Sequence, residues 1–307
     1  MRPEASAITG AFGYTGKYIA RRLLDRGERV ITLTGNPNRQ NLFGTDVKAF
    51  PFHFDRPELM AEALIGTRVL YNTYWVRFNR GDVTHDRAVA NTIALFRAAK
   101  LAKVQRIVHI SITNPDLNSR LPYFRGKALL EREIQSSQMS NAIIRPTVIF
   151  GFEDILINNI AYLLRKMPLF VVPGSGQYRL QPVYVDDVAQ IAINAADEIA
   201  NIVVDAAGPE IYSFEDLVRL IGRAVGSRAK VLRLPPRVAL SAARVIGAFI
   251  GDVLITKEEL EGLMENLLIS DSAPSATTRF STWVSENAPT VGATYASELR
   301  RHYLTSR

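Results

Sequence analysis

The 307-residue sequence predicts an α/β protein with a doubly wound parallel sheet and a smaller, mostly helical C-terminal lobe. Two observations support this fold class. Short apolar runs of β-strand type alternate with segments of helical periodicity through residues 1–150, which is the pattern of βαβ units. A glycine-rich turn directly follows the first run. The composition is that of a globular protein, and the absence of cysteine excludes disulfides and thiolate chemistry.

The elements of the first half follow from apolar periodicity. Strands are predicted at 5–9, 29–34, 47–52, 68–72, 106–111 and 142–149. Helices are predicted between them at 17–26, 57–64, 83–102 and 127–135. Pro146 is expected to end the last of these strands or to form a β-bulge in it, because proline cannot donate to a sheet ladder.

The turn between the first strand and the first helix has GxxGxxG spacing. Gly10 permits a tight turn, Gly13 lets the backbone approach a pyrophosphate, and Gly16 lets the helix pack closely on the strand. Amides at the helix N-terminus bind the anion. The turn therefore predicts a dinucleotide-binding Rossmann domain whose cofactor-binding residues include Thr9, Gly10, Phe12, Gly13, Tyr14, Thr15 and Gly16.

The choice between NAD and NADP depends on the residues after the second strand, Thr34 to Arg39, which include no acid. An acidic residue at this place binds the ribose hydroxyls of NAD, whereas an arginine accommodates the 2′-phosphate of NADP. The sequence thus favours NADP over NAD, with Asn36 and Arg39 as candidate ligands. An arginine beside proline and asparagine is also common as a solvated loop residue, and this alternative stays open.

Tyr123 and Lys127 lie four residues apart at the start of a predicted helix, and hence on one face. An ammonium close to a phenol lowers the phenol pKa and suits it to proton transfer, and Lys127 could also hold the nicotinamide ribose. Ser111 and Thr113 come just after a strand and could bind a substrate oxygen. The same Tyr–Lys spacing occurs on solvated helices, so the residues alone leave a purely structural alternative.

After residue 151 the alternation becomes irregular, and helices are predicted at 155–166, 187–197, 213–225, 238–249, 256–268 and 291–304. We expect a dinucleotide-binding domain at 1–150 and a substrate-side lobe at 151–307, with 180–206 returning to the first domain. The apolar stretch 238–255 includes Arg244 and Asp252, which are costly inside a bilayer. It therefore predicts a buried or amphipathic helix, with weak contact to a membrane surface as an alternative.

Four ordered motifs resemble the extended and atypical branch of the short-chain dehydrogenase/reductase superfamily. TGAFGYTG is similar to its TGxxGxxG, YFRGK to YxxxK, RPTVIFG to RPxxVxG and PVYVDDVA to VxVxDVA. The distal segments GPEIYSFEDLVRLI and LITKEELEGLMENL resemble NmrA-like proteins and the NAD(P)-binding accessory subunit of complex I. The resemblance therefore covers nearly the whole chain.

The resemblance implies NAD(P) at the glycine turn, with Tyr123 as acid/base and Lys127 as ribose ligand. Further implied cofactor contacts are Asn72, Thr73, Tyr74, Pro146, Thr147 and Val148. The chain departs from the pattern where Asn72-Thr73-Tyr74-Trp75 replaces small residues, which brings large aromatic side chains near the cofactor. Only 12 positions separate Ser111 from Tyr123, which argues against a sugar-nucleotide epimerase site.

The leading functional hypothesis is an NAD(P)-dependent oxidoreductase or epimerase/dehydratase-like enzyme that acts on an unknown small molecule. The alternative is a non-catalytic NAD(P)H-binding redox sensor, assembly factor or accessory protein. Residues 1–150 have 22 basic and 12 acidic side chains, an excess that suits a phosphorylated cofactor. No nucleic-acid partner, metal or transmembrane segment is expected, a cytoplasmic location is expected, and the oligomeric state is left open.

Overall fold

The structure is a computed structural model that describes residues 5–39 and 41–300. The chain divides into two compact units. The first unit comprises the residues up to Pro146 together with Val185–Ala206, and the second comprises Thr147–Tyr184 together with the residues from Ala207 onward. The functional roles expected for residues 1–150 and 151–307 remain predictions.

Strands and helices alternate along the described residues. The strands are β1 (Ala5–Thr9), β2 (Arg29–Thr34), β3 (Val47–Pro51), β4 (Thr67–Asn72), β5 (Arg106–Ile110), β6 (Ser140–Pro146), β7 (Val148–Phe150), β8 (Leu169–Pro173), β9 (Arg179–Leu180), β10 (Pro182–Tyr184), β11 (Ile202–Ala206), β12 (Tyr212–Ser213) and β13 (Lys230–Leu234). The helices are α1 (Tyr14–Asp25), α2 (Pro57–Leu64), α3 (His85–Leu101), α4 (Pro122–Ser136), α5 (Leu156–Lys166), α6 (Val185–Asp197), α7 (Phe214–Ala224), α8 (Pro236–Ile250), α9 (Lys257–Met264) and α10 (Phe280–Glu286).

The first unit is built on a seven-stranded sheet with the order β11-β6-β5-β4-β1-β2-β3. All neighbouring strands in it are parallel. The central strands are buried and apolar because helices cover such sheets on both faces. The predicted doubly wound α/β fold is therefore confirmed. The strand order reverses between β1 and β4, and the carboxyl ends of strands at such a reversal are where open α/β sheets bind ligands.

The second unit contains α5, α7, α9 and α10 around an apolar core, together with α8 and three two-stranded sheets that pair β7 with β10, β9 with β12 and β8 with β13. Phe150 and Phe280 are fully buried in this core, with ring centroids 5.0 Å apart. The prediction of a mostly helical lobe is confirmed, although it did not include β8, β9, β12, β13 or α10.

Several helices differ in their bounds from the prediction. Helix α4 begins at Pro122 rather than at 127 and α9 ends at Met264 rather than at 268, whereas α8, predicted at 238–249, is observed at Pro236–Ile250.

The helix predicted at 17–26 begins earlier, at Tyr14, so the last glycine of the turn lies inside its first turn. The apolar stretch 238–255 is helical only to Ile250, because Gly251 follows in the left-handed conformation, with φ 73°. Only Ala239 and Gly247 of α8 are buried, so the buried-helix alternative was wrong.

The helix predicted at 291–304 is absent from residues 291–297, and residues 301–304 lie outside the described part of the chain. Gly292 has φ +66°, and a Cβ there would lie 2.4 Å from the Tyr162 nitrogen. Asn158 and Asn159 bind this segment, because their Oδ1 atoms accept from the amides of Gly292 and Ala296. These bonds to α5 hold the segment as a loop.

The strand predicted at 142–149 is two strands. Pro146 ends β6, as predicted, and β7 begins at Val148 in the second unit.

Arg106 ties β5 to the segment after α6. The side chain is 4% exposed. Its Nε donates to the Ala195 carbonyl at 3.0 Å, and its two Nη atoms donate to Ser140 Oγ at 2.6 Å and to the Ala200 carbonyl at 2.8 Å. One guanidinium therefore binds a carbonyl of the last turn of α6, a carbonyl of the segment after it and a hydroxyl of β6.

Replacement of Arg106 by Leu should lower the free energy of unfolding by about 2 kcal/mol, because it leaves the buried Ala195 carbonyl without its donor. The matched control is Arg26→Leu. Arg26 pairs with Asp197 at 3.2 Å on the surface, so its loss should cost less than about 1 kcal/mol. Urea unfolding of the two variants measures the difference, and equal losses would contradict the role of Arg106.

Candidate functional site

The glycine turn is closed by backbone contacts that exclude side chains. Gly10 has φ +70°, and its carbonyl accepts a hydrogen bond from the Gly13 amide at 2.8 Å. A Cβ on Gly16 would lie 2.3 Å from the Gly10 carbonyl oxygen. The first turn of α1 thus packs directly on the end of β1, and its N-terminal amides lie beside the turn, as a pyrophosphate site requires.

Thr9 joins the turn to the residues after β4. Its hydroxyl donates to Asn72 Oδ1 at 3.0 Å and accepts from the amides of Thr73 and Tyr74 at 2.8 and 3.0 Å. The Thr73 hydroxyl donates to the Thr9 carbonyl at 2.5 Å. The carboxyl ends of β1 and β4, where the strand order reverses, are therefore held together by side-chain hydrogen bonds.

Asn72 extends this contact to β5. Its Nδ2 lies 2.9 Å from His109 Nδ1. Since the Asn72 amide nitrogen is a donor, His109 Nδ1 accepts and the ring carries its proton on Nε2. Full burial holds the pKa of His109 well below its usual value, and nearby Lys127 acts in the same direction. His109 is thus a neutral core residue bonded to the site.

Tyr123 and Lys127 both lie in α4, which begins at Pro122, so they share one helix face. Tyr123 is half-buried, whereas Lys127 is 2% exposed. The Lys127 ammonium donates to the Ile110 carbonyl at 2.8 Å and lies 4.5 Å from the centroid of the Trp75 ring. Burial lowers the pKa of Lys127 to about 7, and Glu131 opposes this shift in part.

Trp75 covers this part of α4. Its ring is edge-on to Tyr123 with centroids 5.5 Å apart, and it stacks against His85 at 5.7 Å. A Cβ on Gly126 would come within 2.8 Å of Trp75 Cη2. Gly126 therefore lets the indole lie against the helix backbone, directly over Lys127.

Ser111 and Thr113 are buried at the carboxyl end of β5. The Ser111 hydroxyl donates to Glu131 Oε1 at 2.5 Å, and the same oxygen accepts from Arg145 Nε at 3.0 Å. The Ser111 hydroxyl therefore already donates its hydrogen bond within the protein. Sequence reasoning missed Glu131 and Arg145, although the position of Glu131, four residues after Lys127, was a signal that it shares the helix face.

An aromatic cluster lies after β3 and β4. Phe52 and Phe54 stack with centroids 4.6 Å apart, and Tyr74 packs against them at 5.4 and 5.1 Å. Asn91 Nδ2 donates to the Tyr74 hydroxyl at 2.9 Å. Burial raises the pKa of Tyr74, so this hydroxyl stays neutral.

The remaining predicted ligands fall in three places. At the turn and the first turn of α1 lie the half-buried Phe12, Tyr14 and Thr15. On the loop after β2 lie the exposed Asn36 and Arg39. Pro146 ends β6 and its carbonyl accepts from the Thr113 amide at 3.1 Å, while Thr147 and Val148 are buried residues of the second unit. The roles of all these residues remain predictions.

A parallel sheet of this order, with a glycine turn between β1 and α1, defines a Rossmann-fold protein. The profile of the NmrA-like family matches residues 5–286. The chain belongs to the NmrA-like family, and its resemblance to the extended short-chain dehydrogenase/reductases is confirmed.

Two similar proteins are subunits or assembly factors of larger complexes by name. The chain is 23% identical to the mitochondrial NADH dehydrogenase (ubiquinone) 1 alpha subcomplex subunit 9 of Arabidopsis thaliana, over 87% of this chain and 71% of that protein. It is 26% identical to the photosystem II assembly factor Ycf39 of Cyanophora paradoxa, over 74% of this chain and 71% of that protein.

Among solved structures, the fold is similar to an NADPH-dependent quinone oxidoreductase of Escherichia coli complexed with NADPH. The TM-score is 0.73 at 20% identity, over 92% of this chain and 99% of that chain. A nucleoside-diphosphate-sugar epimerase of Staphylococcus aureus has the same TM-score of 0.73 at 16% identity, over 92% of this chain and 99% of that chain. Both likenesses show the fold.

A Gly16→Ala variant tests the close packing of the turn. The added Cβ must displace backbone, so the free energy of unfolding should fall by about 2 kcal/mol or more. Gly35→Ala is the matched control on the neighbouring loop, because a Cβ there meets nothing within 4 Å. Thermal or urea unfolding compares the two variants, and a Gly16→Ala protein as stable as the Gly35→Ala protein would refute the packing argument.

Proposed function

We propose that this protein binds NAD(P) at the carboxyl ends of β1 and β4. The turn supports the proposal because Gly10 and Gly16 leave only backbone where a pyrophosphate would lie, next to the amides of α1. The bonds from Thr9 to Thr73 and Tyr74 make this edge rigid. A preformed anion site at the strand-order reversal is the usual geometry of dinucleotide binding.

The residues expected to contact the adenosine part of the cofactor support NADP as the preferred form. The residues Thr34 to Arg39 offer no carboxylate to repel a 2′-phosphate, and Arg39 is an exposed cation on this loop. Phe54 and Tyr74, which follow β3 and β4, pack against each other and present aromatic surface on which a purine can stack. The E. coli structural neighbour was solved with NADPH, which agrees with this preference.

We further infer that the dinucleotide serves a non-catalytic, accessory function. The observation that favours this role is Trp75, which lies over Lys127 and against Gly126 and Tyr123. Lys127 donates to Ile110 and Ser111 donates to Glu131, so two of the four polar groups predicted as catalytic are engaged inside the protein. Relatives named as an NADH dehydrogenase subunit and an assembly factor support the same role.

The second candidate is the NAD(P)-dependent oxidoreductase or epimerase/dehydratase-like enzyme predicted from the sequence. Its support is the half-buried Tyr123 on the same helix face as Lys127, whose pKa of about 7 lies in the range useful for proton exchange. When bound, the nicotinamide would supply hydride chemistry. In this candidate Tyr123 would hold or deliver the proton to a small-molecule substrate.

Calorimetry with NADPH and NADH in parallel tests the cofactor proposal. We expect NADPH to bind more tightly, and Arg39→Gln to weaken NADPH by about tenfold while NADH affinity stays unchanged, because only NADPH has the 2′-phosphate. Arg29→Gln is the control, since Arg29 begins β2 at the opposite end of the strand. Failure of both dinucleotides to bind would refute the proposal, and equal effects of Arg39→Gln on both would refute the NADP preference.

Turnover assays separate the accessory role from the enzyme. With NADPH and a panel of quinones, aldehydes and nucleotide sugars, we expect no hydride transfer above background, and no change in Tyr123→Phe. Turnover by the unmodified protein that Tyr123→Phe abolishes, with NADPH affinity retained, would overturn the accessory role and establish the enzyme. The binding measurement shows that the variant is folded.

A further inference from the structure

Helix α8 of the second unit exposes a narrow apolar stripe. Val238, Val245 and Phe249 are 49%, 57% and 89% exposed. Their spacing of seven and four residues places them on one side of the helix. Three large exposed apolar side chains aligned on one helix form a patch, whereas the exposed apolar residues of an ordinary surface are scattered singly.

A basic stripe runs alongside the apolar one. Arg237 and Arg244 are exposed, and each directly precedes a valine of the apolar stripe, which sets them about 100° around the helix axis. Between the two stripes the exposed residues are the small Ser241 and Ala248. The outer face of α8 is therefore half apolar and half cationic, and no bulky side chain prevents it from lying flat on a surface.

The charge extends beyond α8 itself. Residues 217–251 include seven arginines or lysines and no acidic residue. The C-terminal half of the chain, residues 151–307, is otherwise rich in acids, with 15 basic and 18 acidic side chains in total. Arg219 and Arg233 pair with Glu215 of α7, at 2.7 and 2.5 Å. The remaining excess of positive charge is thus local to residues 223–244 and does not reflect the average composition.

We propose that α8 is an interfacial helix that docks the protein on an anionic lipid surface. Phe249, Val245 and Val238 would enter the boundary between headgroups and acyl chains, and Arg237 and Arg244 would contact lipid phosphates. Arginine on the polar side of an amphipathic helix with an aromatic and aliphatic opposite side is the composition that binds such surfaces. Charge favours this occupant over a second copy of the chain, because two copies of this face would bring like charges together.

The contact is peripheral. No helix among residues 5–39 and 41–300 is long and apolar enough to cross a membrane. Gly247 lets the chain after α8 fold back, since a Cβ there would lie 2.6 Å from the Asp252 carbonyl oxygen. The Asp252 carboxylate accepts from the Glu298 amide at 2.8 Å, which anchors the C-terminal end of α8 to its own unit. The apolar stripe is thus presented on a braced helix.

Sedimentation with lipid vesicles tests the proposal on the full chain. Vesicles of phosphatidylcholine containing about one-quarter phosphatidylglycerol should bind the protein. Vesicles of pure phosphatidylcholine should bind it at least about tenfold more weakly. The Val245→Asp/Phe249→Asp variant should lose at least about tenfold in partitioning, because the apolar insertion is removed. The Arg237→Gln/Arg244→Gln variant should bind anionic vesicles about tenfold more weakly, and its binding to pure phosphatidylcholine should not change.

Ile199→Asp is the matched control, because Ile199 is 97% exposed in the first unit and outside the proposed contact. It should bind vesicles like the unmodified protein, and circular dichroism should show all variants folded. No binding to anionic vesicles, or binding that the α8 variants leave unchanged, would overturn the proposal. A dimer in light scattering that Val245→Asp/Phe249→Asp dissociates, or an acidic protein bound in place of vesicles, would instead assign the face to a protein partner.

Discussion

The hydroxyl of Thr9 is the contact on which the arrangement of the site depends. It bonds to Asn72, Thr73 and Tyr74, and so it joins the end of β1 to the end of β4 where the strand order reverses. Asn72 then bonds to His109 of β5. Because the three strand ends are linked through buried groups, the glycine turn, the aromatic cluster and the face of α4 are held in one geometry.

Trp75 determines how much space this arrangement leaves beside Tyr123 and Lys127. In a site built for hydride transfer, the space beside Tyr123 and Lys127 would have to admit a nicotinamide and a substrate. Here an indole lies against the backbone of Gly126 and over the Lys127 ammonium. The Ile110 carbonyl and the aromatic face of Trp75 stabilise the ammonium form of this buried lysine, whose pKa is lowered by burial. Local packing beside Tyr123 and Lys127 is therefore closed by the indole, and the proposed accessory role rests on this packing.

Much of the first unit could be predicted from the sequence, because buried parallel strands and their helices have strong periodicities. β1 and β2 have the predicted bounds, and Pro146 ends β6 as expected. Short strands such as β9 and β12, of two residues each, have no such signal. A helix was predicted over the segment at 291–297, but Asn158 and Asn159 bind its backbone amides, and no local pattern reveals partners so far away along the chain.

The sequence by itself determined the doubly wound fold, the glycine turn and the family, because these depend on local spacing and on backbone that only glycine permits. Tertiary structure alone decided the partners of the polar groups. Ser111 meets Glu131, Lys127 meets Ile110 and Trp75, and the apolar stripe of α8 faces outward rather than into the core. Which groups meet, and which stay exposed, depends on how distant segments pack, and residue order does not encode that packing in any short pattern.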